Sequence, residues 1–313
     1  MPAAVQTTEV KRTVRRPRAI VLRLQPYGEL RHTTPDLINY IDPRDICMQG
    51  RIGSGSYGDV YEGFLRNKKV AFKVMQTKKN LTPQTNHASV KREATLMTQI
   101  TGHENVVKLL GVVDKGPTTC LVLELCADGS VDQLLRKHGP IVTSAQRVAL
   151  AYQVIAGLKW LHEHGIIHRD LAARNCLLDG RVLKLCDFGM SRTANDCYID
   201  PSAPQNVRWM APELWSTCTL SYATDMYSFG VLLWELFQRP FQRPYNDLPG
   251  VTVRKVVMNG YRLPVPAGMP PEVSVIMQKC FDANPARRPT AAQAEKELGQ
   301  ILKDMVKRQH SSR

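Results

Sequence analysis

The stretch "HRDLAARN" at residues 168–175 decides how this chain of 313 residues is interpreted. It is followed by "DFG" at 187–189 and by "APE" at 211–213. Asp170 is suited to act as a catalytic base, and Asn175, five residues further on, could reach back to hold a metal ion. Each short motif alone is weak, because Asp and Asn are more often turn or cap residues. Three motifs in one order at usable spacings are much harder to produce by chance.

These motifs resemble those of eukaryotic protein kinases, and the resemblance covers roughly residues 45 to 305. It implies an α+β, bilobal fold with a small β-rich N-lobe and a larger, mainly helical C-lobe. It also implies an enzyme that transfers the γ-phosphate of ATP to a protein hydroxyl, with ATP and Mg²⁺ as cofactors. The implied divisions are a basic, unstructured arm at 1–44, the N-lobe at 45–126, the C-lobe at 127–305 and a tail at 306–313.

Periodicity agrees with two unlike lobes. Residues 70–75 alternate as a strand does, residues 118–126 are predicted as another strand, and residues 87–100 have helical spacing. Residues 224–238 predict a buried helix and residues 291–308 an amphipathic one. A cleft between a sheet-rich and a helical part is a common place for ligands.

The run "IGSGSYGDV" at 52–60 supplies three glycines between two strand-like segments. Glycine lets backbone N–H groups approach a phosphate without a side chain in the way. A lone GxGxxG is weak, because dinucleotide sites use it too. Here a strand follows rather than a helix, and Lys73 lies on the next strand, which favours a kinase glycine-rich loop over a Rossmann fingerprint.

Lys73 and Glu93 are predicted to form an ion pair. Lys73 shares a strand face with Ala71, and Glu93 lies one turn before Met97 on the next helix. An isolated lysine would be solvated, but the apolar neighbours of Lys73 argue against that. The resemblance implies that Lys73 binds the α- and β-phosphates and that Glu93 holds it in place.

The resemblance carries further roles onto matching positions. The catalytic set is Asp170, Lys73, Glu93 and Arg174, and the metal ligands are Asn175 and Asp187. The nucleotide-contacting set is Ile52, Gly53, Ser54, Gly55, Ser56, Tyr57, Gly58, Asp59, Val60, Ala71, Lys73, Leu123, Glu124, Cys126 and Leu177. Of these, Leu123 gates the pocket, the backbone after it contacts adenine, and Val60, Ala71 and Leu177 sandwich the ring. Met97, Leu109, His168 and Phe188 match the regulatory hydrophobic stack, Glu213 and Arg288 a bracing ion pair, and Asp225 a buried aspartate under the catalytic loop.

Tyrosine is the favoured phosphate acceptor. Serine/threonine kinases usually have a lysine two residues after the catalytic aspartate, where this chain has Ala172, and Arg174 matches the tyrosine kinase pattern. Tyr227 and Phe281 depart from that pattern, which more often has tryptophan, and "PSAPQN" at 201–206 matches no familiar form. Serine/threonine or dual specificity is therefore the alternative within the enzyme class.

Tyr198, the one tyrosine of the activation segment at 187–213, is a predicted regulatory phosphorylation site. A phosphate there could pair with Arg169 and Arg192 and so order the segment. The alternative is an unmodified, exposed tyrosine. Replacing Tyr198 by phenylalanine is expected to lower activity.

Composition limits the other functions. The apolar runs are too short to span a bilayer, Pro2 excludes N-myristoylation, and no signal peptide is predicted, so a soluble, cytoplasmic protein is expected. The eight cysteines form no CxxC pair, and Cys126 and Cys186 are expected to pack in the cleft rather than act as reactive thiols.

The net charge of +14 includes one basic cluster at residues 11–18, which could serve nuclear import or simply be a solvated arm. No motif supports specific nucleic-acid binding. A catalytically inactive scaffold of the same fold is the other alternative, and the complete set of catalytic residues argues against it. Protein substrates and ATP are the expected partners.

Overall fold

A computed structural model of the chain describes residues 38–55, 58–74, 83–115, 118–200 and 205–311. The predicted basic arm lies outside these ranges as far as residue 37, so its lack of structure stays a prediction. Within them, a sheet-rich part precedes a helical part, as expected for a bilobal α+β fold. The predicted start of the first lobe at residue 45 falls inside a described segment that already contacts the sheet.

The small lobe is built on an antiparallel sheet with the order β1-β2-β3-β5-β4. Its strands are β1 (Ile46–Gly55), β2 (Gly58–Leu65), β3 (Lys68–Val74), β4 (Leu109–Lys115) and β5 (Thr118–Glu124). Helix α1 (Pro83–Ile100) connects β3 to β4 and starts before the predicted residue 87, with a proline in its first turn.

The pairing register gives the two faces of this sheet different roles. Val60 and Leu121 lie opposite Lys73, and Leu123 lies opposite Ala71. Directly opposed residues of an antiparallel pair project to the same face, so these side chains share one face with the predicted nucleotide site. The alternate residues form a separate apolar cluster on the other face, with Val70, Phe72, Val113, Cys120 and Val122 at its centre.

Residues before β1 cover the outer edge of the sheet. The N–H of Ile41 donates to the carbonyl oxygen of Val112 at 2.8 Å, and the N–H of Val112 donates to that of Asn39 at 2.8 Å. Gly111 permits this approach, because a Cβ there would lie 2.5 Å from the Asn39 carbonyl oxygen. Ile41 and Ile46 also pack against the outer apolar cluster.

The large lobe is mainly helical. Its helices are α2 (Val131–His138), α3 (Ser144–Glu163), α4 (Leu214–Thr217), α5 (Tyr222–Phe237), α6 (Gly250–Met258), α7 (Pro271–Cys280) and α8 (Ala291–Ser311). Two short antiparallel pairs join β6 (Ile166–Ile167) to β9 (Arg192–Thr193) and β7 (Cys176–Asp179) to β8 (Val182–Leu185). Throughout the described ranges, no helix is both long enough and apolar enough to cross a membrane.

Local sequence explains where α3 begins and ends. Thr143 and Gln146 form a capping box, in which the Gln146 N–H donates to Thr143 Oγ1 at 3.2 Å and the Thr143 N–H donates to Gln146 Oε1 at 2.8 Å. Gly165, the predicted stop, follows with φ +72°. The helix thus delivers the chain to β6 and then to the predicted catalytic loop.

Helix α5 forms the centre of the large lobe, and its residues 224–237 are all buried. Gly230 allows α7 to approach, because a Cβ there would lie 2.8 Å from the Cβ of Cys280. One turn before Gly230, Tyr227 packs on Phe281 with ring centroids 5.2 Å apart. The two residues that depart from the tyrosine kinase pattern are therefore neighbours that fill one space together.

Candidate active site

Three charged side chains meet between the lobes. Lys73 from β3 places its Nζ 2.7 Å from Oε1 of Glu93 on α1 and 2.7 Å from Oδ1 of Asp187. Lys73 and Glu93 are both buried. The predicted Lys73–Glu93 ion pair is present, and Asp187 extends it into a three-residue cluster.

Electrostatics keep Lys73 and Asp187 charged. Burial alone would lower the pKa of Lys73, but Glu93 and Asp187 outweigh it, so the pKa is raised. Burial would likewise raise the pKa of Asp187, yet the Lys73 ammonium and its hydrogen bond bring that pKa below its ordinary value. Burial raises the pKa of Glu93, the most enclosed of the three. The cleft therefore holds the charged ammonium of Lys73 and the charged carboxylate of Asp187, both of which can interact with a charged ligand.

Asp170 is buried, and its carboxylate is held from both sides. Arg174 Nη2 donates to Oδ1 at 2.5 Å, and Asn175 Nδ2 donates to Oδ2 at 2.8 Å and to the Asp170 carbonyl oxygen at 2.7 Å. Burial raises the pKa of Asp170, against the opposing effect of Arg174. A raised pKa brings a carboxylate closer to the range in which general bases work best.

Asp225 fixes the loop that carries Asp170. Its Oδ2 accepts the His168 N–H and its Oδ1 accepts the Arg169 N–H, each at 2.8 Å. The side chain of His162 also contacts Oδ2 at 3.0 Å. Arg169 has φ +70°, a conformation that costs on the order of 1 kcal/mol or more in a residue other than glycine. The two hydrogen bonds that fully buried Asp225 accepts hold that strained turn in place, as the resemblance implied.

The β7–β8 hairpin brings the two predicted metal ligands together. Asn175 precedes β7 and Asp187 follows β8, and the Cys186 N–H donates to the Asn175 carbonyl oxygen at 3.0 Å. The amide nitrogen of Asn175 is turned to Asp170, which leaves its side-chain oxygen to face elsewhere. A carboxylate and an amide oxygen are hard donors of the kind that Mg²⁺ takes, so these residues fit the implied ion.

The predicted nucleotide-contacting residues fall in two groups. Ser56 and Tyr57 lie outside the described residues. On either side of them, Gly55 pairs with Gly58 across the β1–β2 hairpin, Ser54 with Asp59 and Gly53 with Val60, while Ile52 precedes these pairs on β1. Ala71 and Leu123 are opposed on the central strands, and Leu177 lies on β7, where it bridges to Ser130.

The segment joining the lobes begins at Glu124. Its Oε1 accepts the Lys108 N–H at 2.8 Å and lies 3.0 Å from Lys184 Nζ, and its own N–H donates to the Lys108 carbonyl oxygen at 3.0 Å. The side chain of Glu124 therefore serves a structural role. The contact of the backbone here with adenine stays a prediction.

Two cysteines lie close to the cleft. Burial raises the pKa of Cys126 to about 12 and that of Cys186 well above its ordinary value. The thiolate is the reactive form of cysteine, so both residues are held as inert thiols at neutral pH. Their surroundings favour the packing interpretation over the reactive one.

The architectural predictions are also matched by contacts. Arg288 forms a two-fold ion pair with Glu213, with Nη1–Oε1 and Nη2–Oε2 each 2.7 Å. The rings of His168 and Phe188 lie 5.3 Å apart. Met97 and Leu109, the other two residues of the predicted stack, are buried in the same core cluster.

Residues that sequence reasoning did not single out complete the site. Arg174 stacks on Trp209, with its guanidinium carbon 4.2 Å from the ring centroid. Trp209 Nε1 and the Ala173 N–H both donate to Oε2 of buried Glu235, at 2.9 and 3.0 Å. Asn206 Nδ2 donates to Asp170 Oδ1 at 2.7 Å. The unfamiliar "PSAPQN" run, which ends at Asn206, was the sequence signal that could have drawn attention to this residue. The only such signal for Glu235 is that it is an acidic residue in an apolar helix.

The predicted phosphorylation site is accessible. Tyr198 is 64% exposed, and its backbone bridges to Thr219. Arg169 Nη2 donates to Gln205 Oε1 at 2.8 Å, and Arg192 Nη1 donates to the Ser191 carbonyl oxygen at 2.9 Å. Both arginines already have partners, so their pairing with a phosphate on Tyr198 stays a prediction.

Comparison with known proteins gives the class that this site defines. The profile of the family described as protein tyrosine and serine/threonine kinase matches residues 46–298. The match covers most of the chain and includes the whole ion cluster and the catalytic loop. The chain belongs to this family.

Curated relatives include proteins named as tyrosine kinases and an ephrin receptor. The chain is 35% identical over 269 residues to tyrosine-protein kinase Fer of Rattus norvegicus, covering 85% of this chain and 32% of Fer. It is 34% identical over 267 residues to the transforming protein Fps of avian sarcoma virus (strain PRCII), covering 84% and 50%. It is 39% identical over 254 residues to ephrin type-A receptor 8 of Rattus norvegicus, covering 78% and 67%. The chain thus spans about a third of the length of the Fer kinase that it matches.

Proposed function

We propose that this chain transfers the γ-phosphate of ATP to the hydroxyl group of tyrosine in protein substrates, with Mg²⁺ as the metal cofactor. The observation that carries the proposal is the bonded set in the cleft, in which Lys73, Glu93 and Asp187 form one ion cluster. Asp170 and Asn175 form the adjoining hydrogen-bonded pair. Phosphoryl transfer depends mainly on positioning and charge neutralisation, and these five residues supply both.

Asp170 is the proposed base, and its two oxygens differ. Oδ1 accepts hydrogen bonds from Arg174 and Asn206, whereas among the described residues Oδ2 accepts only the Asn175 amide. Oδ2 therefore keeps a lone pair to accept the proton of the attacking hydroxyl. The hydroxyl oxygen forms a bond to the γ-phosphorus as the bond to the β–γ bridging oxygen breaks, and ADP leaves.

On the side of the cleft opposite Asp170, other residues would neutralise the negative charge of the phosphates. Lys73, held by Glu93, would bind the α- and β-phosphates, because a buried ammonium attracts anionic oxygens strongly. Asn175 and Asp187 would hold Mg²⁺, which when bound supplies positive charge beside the transferred group. The glycine-rich β1–β2 hairpin would cover the phosphates with backbone N–H groups.

Tyrosine as the acceptor rests on Arg174 and on the relatives. Arg174 reaches Asp170 from four residues further along the chain, and Ala172 stands where serine/threonine kinases usually have lysine. The relatives named above are called tyrosine kinases or ephrin receptors. The Tyr227–Phe281 pair supports the second candidate, serine/threonine or dual specificity, because both residues depart from the tyrosine kinase pattern. A scaffold without activity is the third.

The cellular setting belongs to the same proposal. A cytoplasmic kinase, with nuclear access through the basic cluster at residues 11–18, fits the sequence. Protein substrates and ATP are its proposed partners. Specific nucleic-acid binding is not part of the proposal.

The test is a γ-phosphate transfer assay with Mg²⁺ on tyrosine and serine/threonine peptides, with the Asp170→Asn variant beside it. Asp179→Asn, which changes an exposed aspartate, is the matched control. Transfer to tyrosine that falls to a small residual rate in Asp170→Asn and is kept in Asp179→Asn supports the proposal. Transfer mainly to serine or threonine would replace the tyrosine assignment, and no transfer at all would favour the scaffold.

A further inference from the structure

We propose that Asn206 is a positioning residue for Asp170, which fixes Oδ1 so that Oδ2 faces the attacking hydroxyl. Nothing in the catalytic motifs includes Asn206, which lies 36 residues away in sequence. The inference rests on the kinase function proposed above and goes beyond it, because it assigns a role to the end of the activation segment in holding the base.

Both hydrogens of the Asn206 amide point to defined atoms. Nδ2 lies 2.7 Å from Asp170 Oδ1 and 3.9 Å from the sulfur of buried Met190. If the amide were turned around, its oxygen would face a carboxylate oxygen, and two acceptors repel each other. The chemistry of the neighbours thus fixes the amide with its nitrogen toward the base.

Asn206 is anchored through its own carbonyl group and through the side chain of the preceding residue. The Trp209 N–H donates to the Asn206 carbonyl oxygen at 3.0 Å, closing a turn. Immediately before it, Gln205 Oε1 accepts Arg169 Nη2 at 2.8 Å. Two consecutive amides of the activation segment therefore bind two consecutive residues of the catalytic loop, which attaches one segment to the other at the base itself.

Asn206 and Arg174 hold the same oxygen in different ways. Arg174 belongs to the catalytic loop and brings a positive charge, whereas Asn206 is neutral and comes from a separate segment. Together they donate to both lone pairs of Oδ1, so the carboxylate group has little freedom to rotate. Small misplacements of a reacting group are costly, since about 1 Å of error can reduce a rate roughly 100-fold.

The test compares Asn206→Leu with Asn195→Leu, the same change at an exposed position of the same segment. Asn206→Leu removes the donor and keeps a similar volume. We expect kcat to fall about 10-fold or more, because a hydrogen bond to a charged group is lost. KM for ATP should stay within about twofold, because the change acts on the chemical step. Asn195→Leu should match the unaltered protein.

One further readout separates positioning from folding. In an Asp170→Asn background, Asn206→Leu should have no further effect on kcat, because Asn206 acts through Asp170.

Each outcome decides the matter. An unaltered protein that transfers no phosphate overturns the function proposed above rather than the role of Asn206. With an active protein, an unchanged kcat in Asn206→Leu, or an equal loss in the Asp170→Asn background, overturns the positioning role. If Asn206→Leu melts at a clearly lower temperature, Asn206→Ala, which is neutral, too small to clash and without the donor, replaces it, and an undiminished kcat there overturns the role as well.

Discussion

The guanidinium group of Arg174 lies over the ring of Trp209, 4.2 Å from its centroid, while its Nη2 donates to Asp170. One side chain thus contacts both the proposed base and a turn near the end of the activation segment. The attraction between the cation and the ring face restrains the guanidinium, which helps to fix the direction of its hydrogen bond. This pairing depends on a flat cation with several fixed N–H donors, which arginine provides and lysine does not.

Arg174→Lys is therefore expected to be far from conservative. Lysine keeps the charge but loses the stacking and the fixed donor direction. We expect kcat for a tyrosine peptide to fall about 10-fold or more, with little change in KM for ATP. Steady-state kinetics would measure it, with Arg181→Lys at an exposed site as the control. Equal kcat in the two variants would contradict the role of the stack.

Glu235 should make stability depend on pH. Burial raises its pKa to about 7, despite hydrogen bonds from Trp209 and Ala173. The folded protein then binds this proton more tightly than the unfolded chain, so the free energy of unfolding falls as pH rises from about 4.5 to about 7. The contribution of this one group is on the order of 3 kcal/mol.

Glu235→Gln should remove that pH dependence. An amide oxygen can still accept from Trp209 and Ala173, and it has no proton to lose in this range. Denaturant unfolding at pH 5 and pH 8 should show the variant gaining stability relative to the unaltered protein at the higher pH only. A stability difference that is the same at both pH values would refute the assignment.

The Glu213–Arg288 pair should stabilise the large lobe. The side chain of Arg288 is fully buried, and its removal leaves the Glu213 carboxylate without its partner. Arg288→Ala is expected to lower the free energy of unfolding by about 3 to 5 kcal/mol. Lys279→Ala breaks the exposed Lys279–Glu297 pair, and its effect should stay below about 1 kcal/mol. Thermal unfolding of the two variants side by side would test the difference.

Tyr198→Phe tests the proposed regulation. Tyr198 is exposed, and a phosphate on it would bring close to two negative charges to the activation segment. We expect the variant to lose activity and to carry no phosphate at this position, as measured by mass spectrometry and peptide assays. Full activity in Tyr198→Phe would show that the segment is ordered without this modification.

Sequence alone identified the parts of the site that lie within short motifs. Lys73 and Asp170 could be predicted because they match kinase motifs, and strand alternation put Lys73 on the same face as Ala71. Asn206 could not, because its contact with Asp170 depends on how the activation segment returns to the loop after 36 residues. No local pattern encodes a return of that length.

Packing between distant helices was equally beyond the sequence. Tyr227 and Phe281 looked like two separate departures from a family pattern, and only the approach of α7 to α5 at Gly230 shows that they fill one space. Helix limits were closer to expectation, since α5 runs from Tyr222 to Phe237 against a predicted 224–238. The start of α1 was missed because the polar first turn carries no apolar period.

The backbone hydrogen bonds between residues 39–41 and β4 have a practical consequence for the design of truncated forms of this protein. The family match begins at residue 46, but a fragment cut there would lack the residues that pair with the sheet's outermost strand. It would expose unpaired backbone groups beside Val112 and remove Ile41 from the apolar cluster. Uncovered strands of this kind pair with other molecules, so such a fragment would self-associate in preparation. A fragment beginning at or before residue 38 would keep the residues that shield this outermost strand.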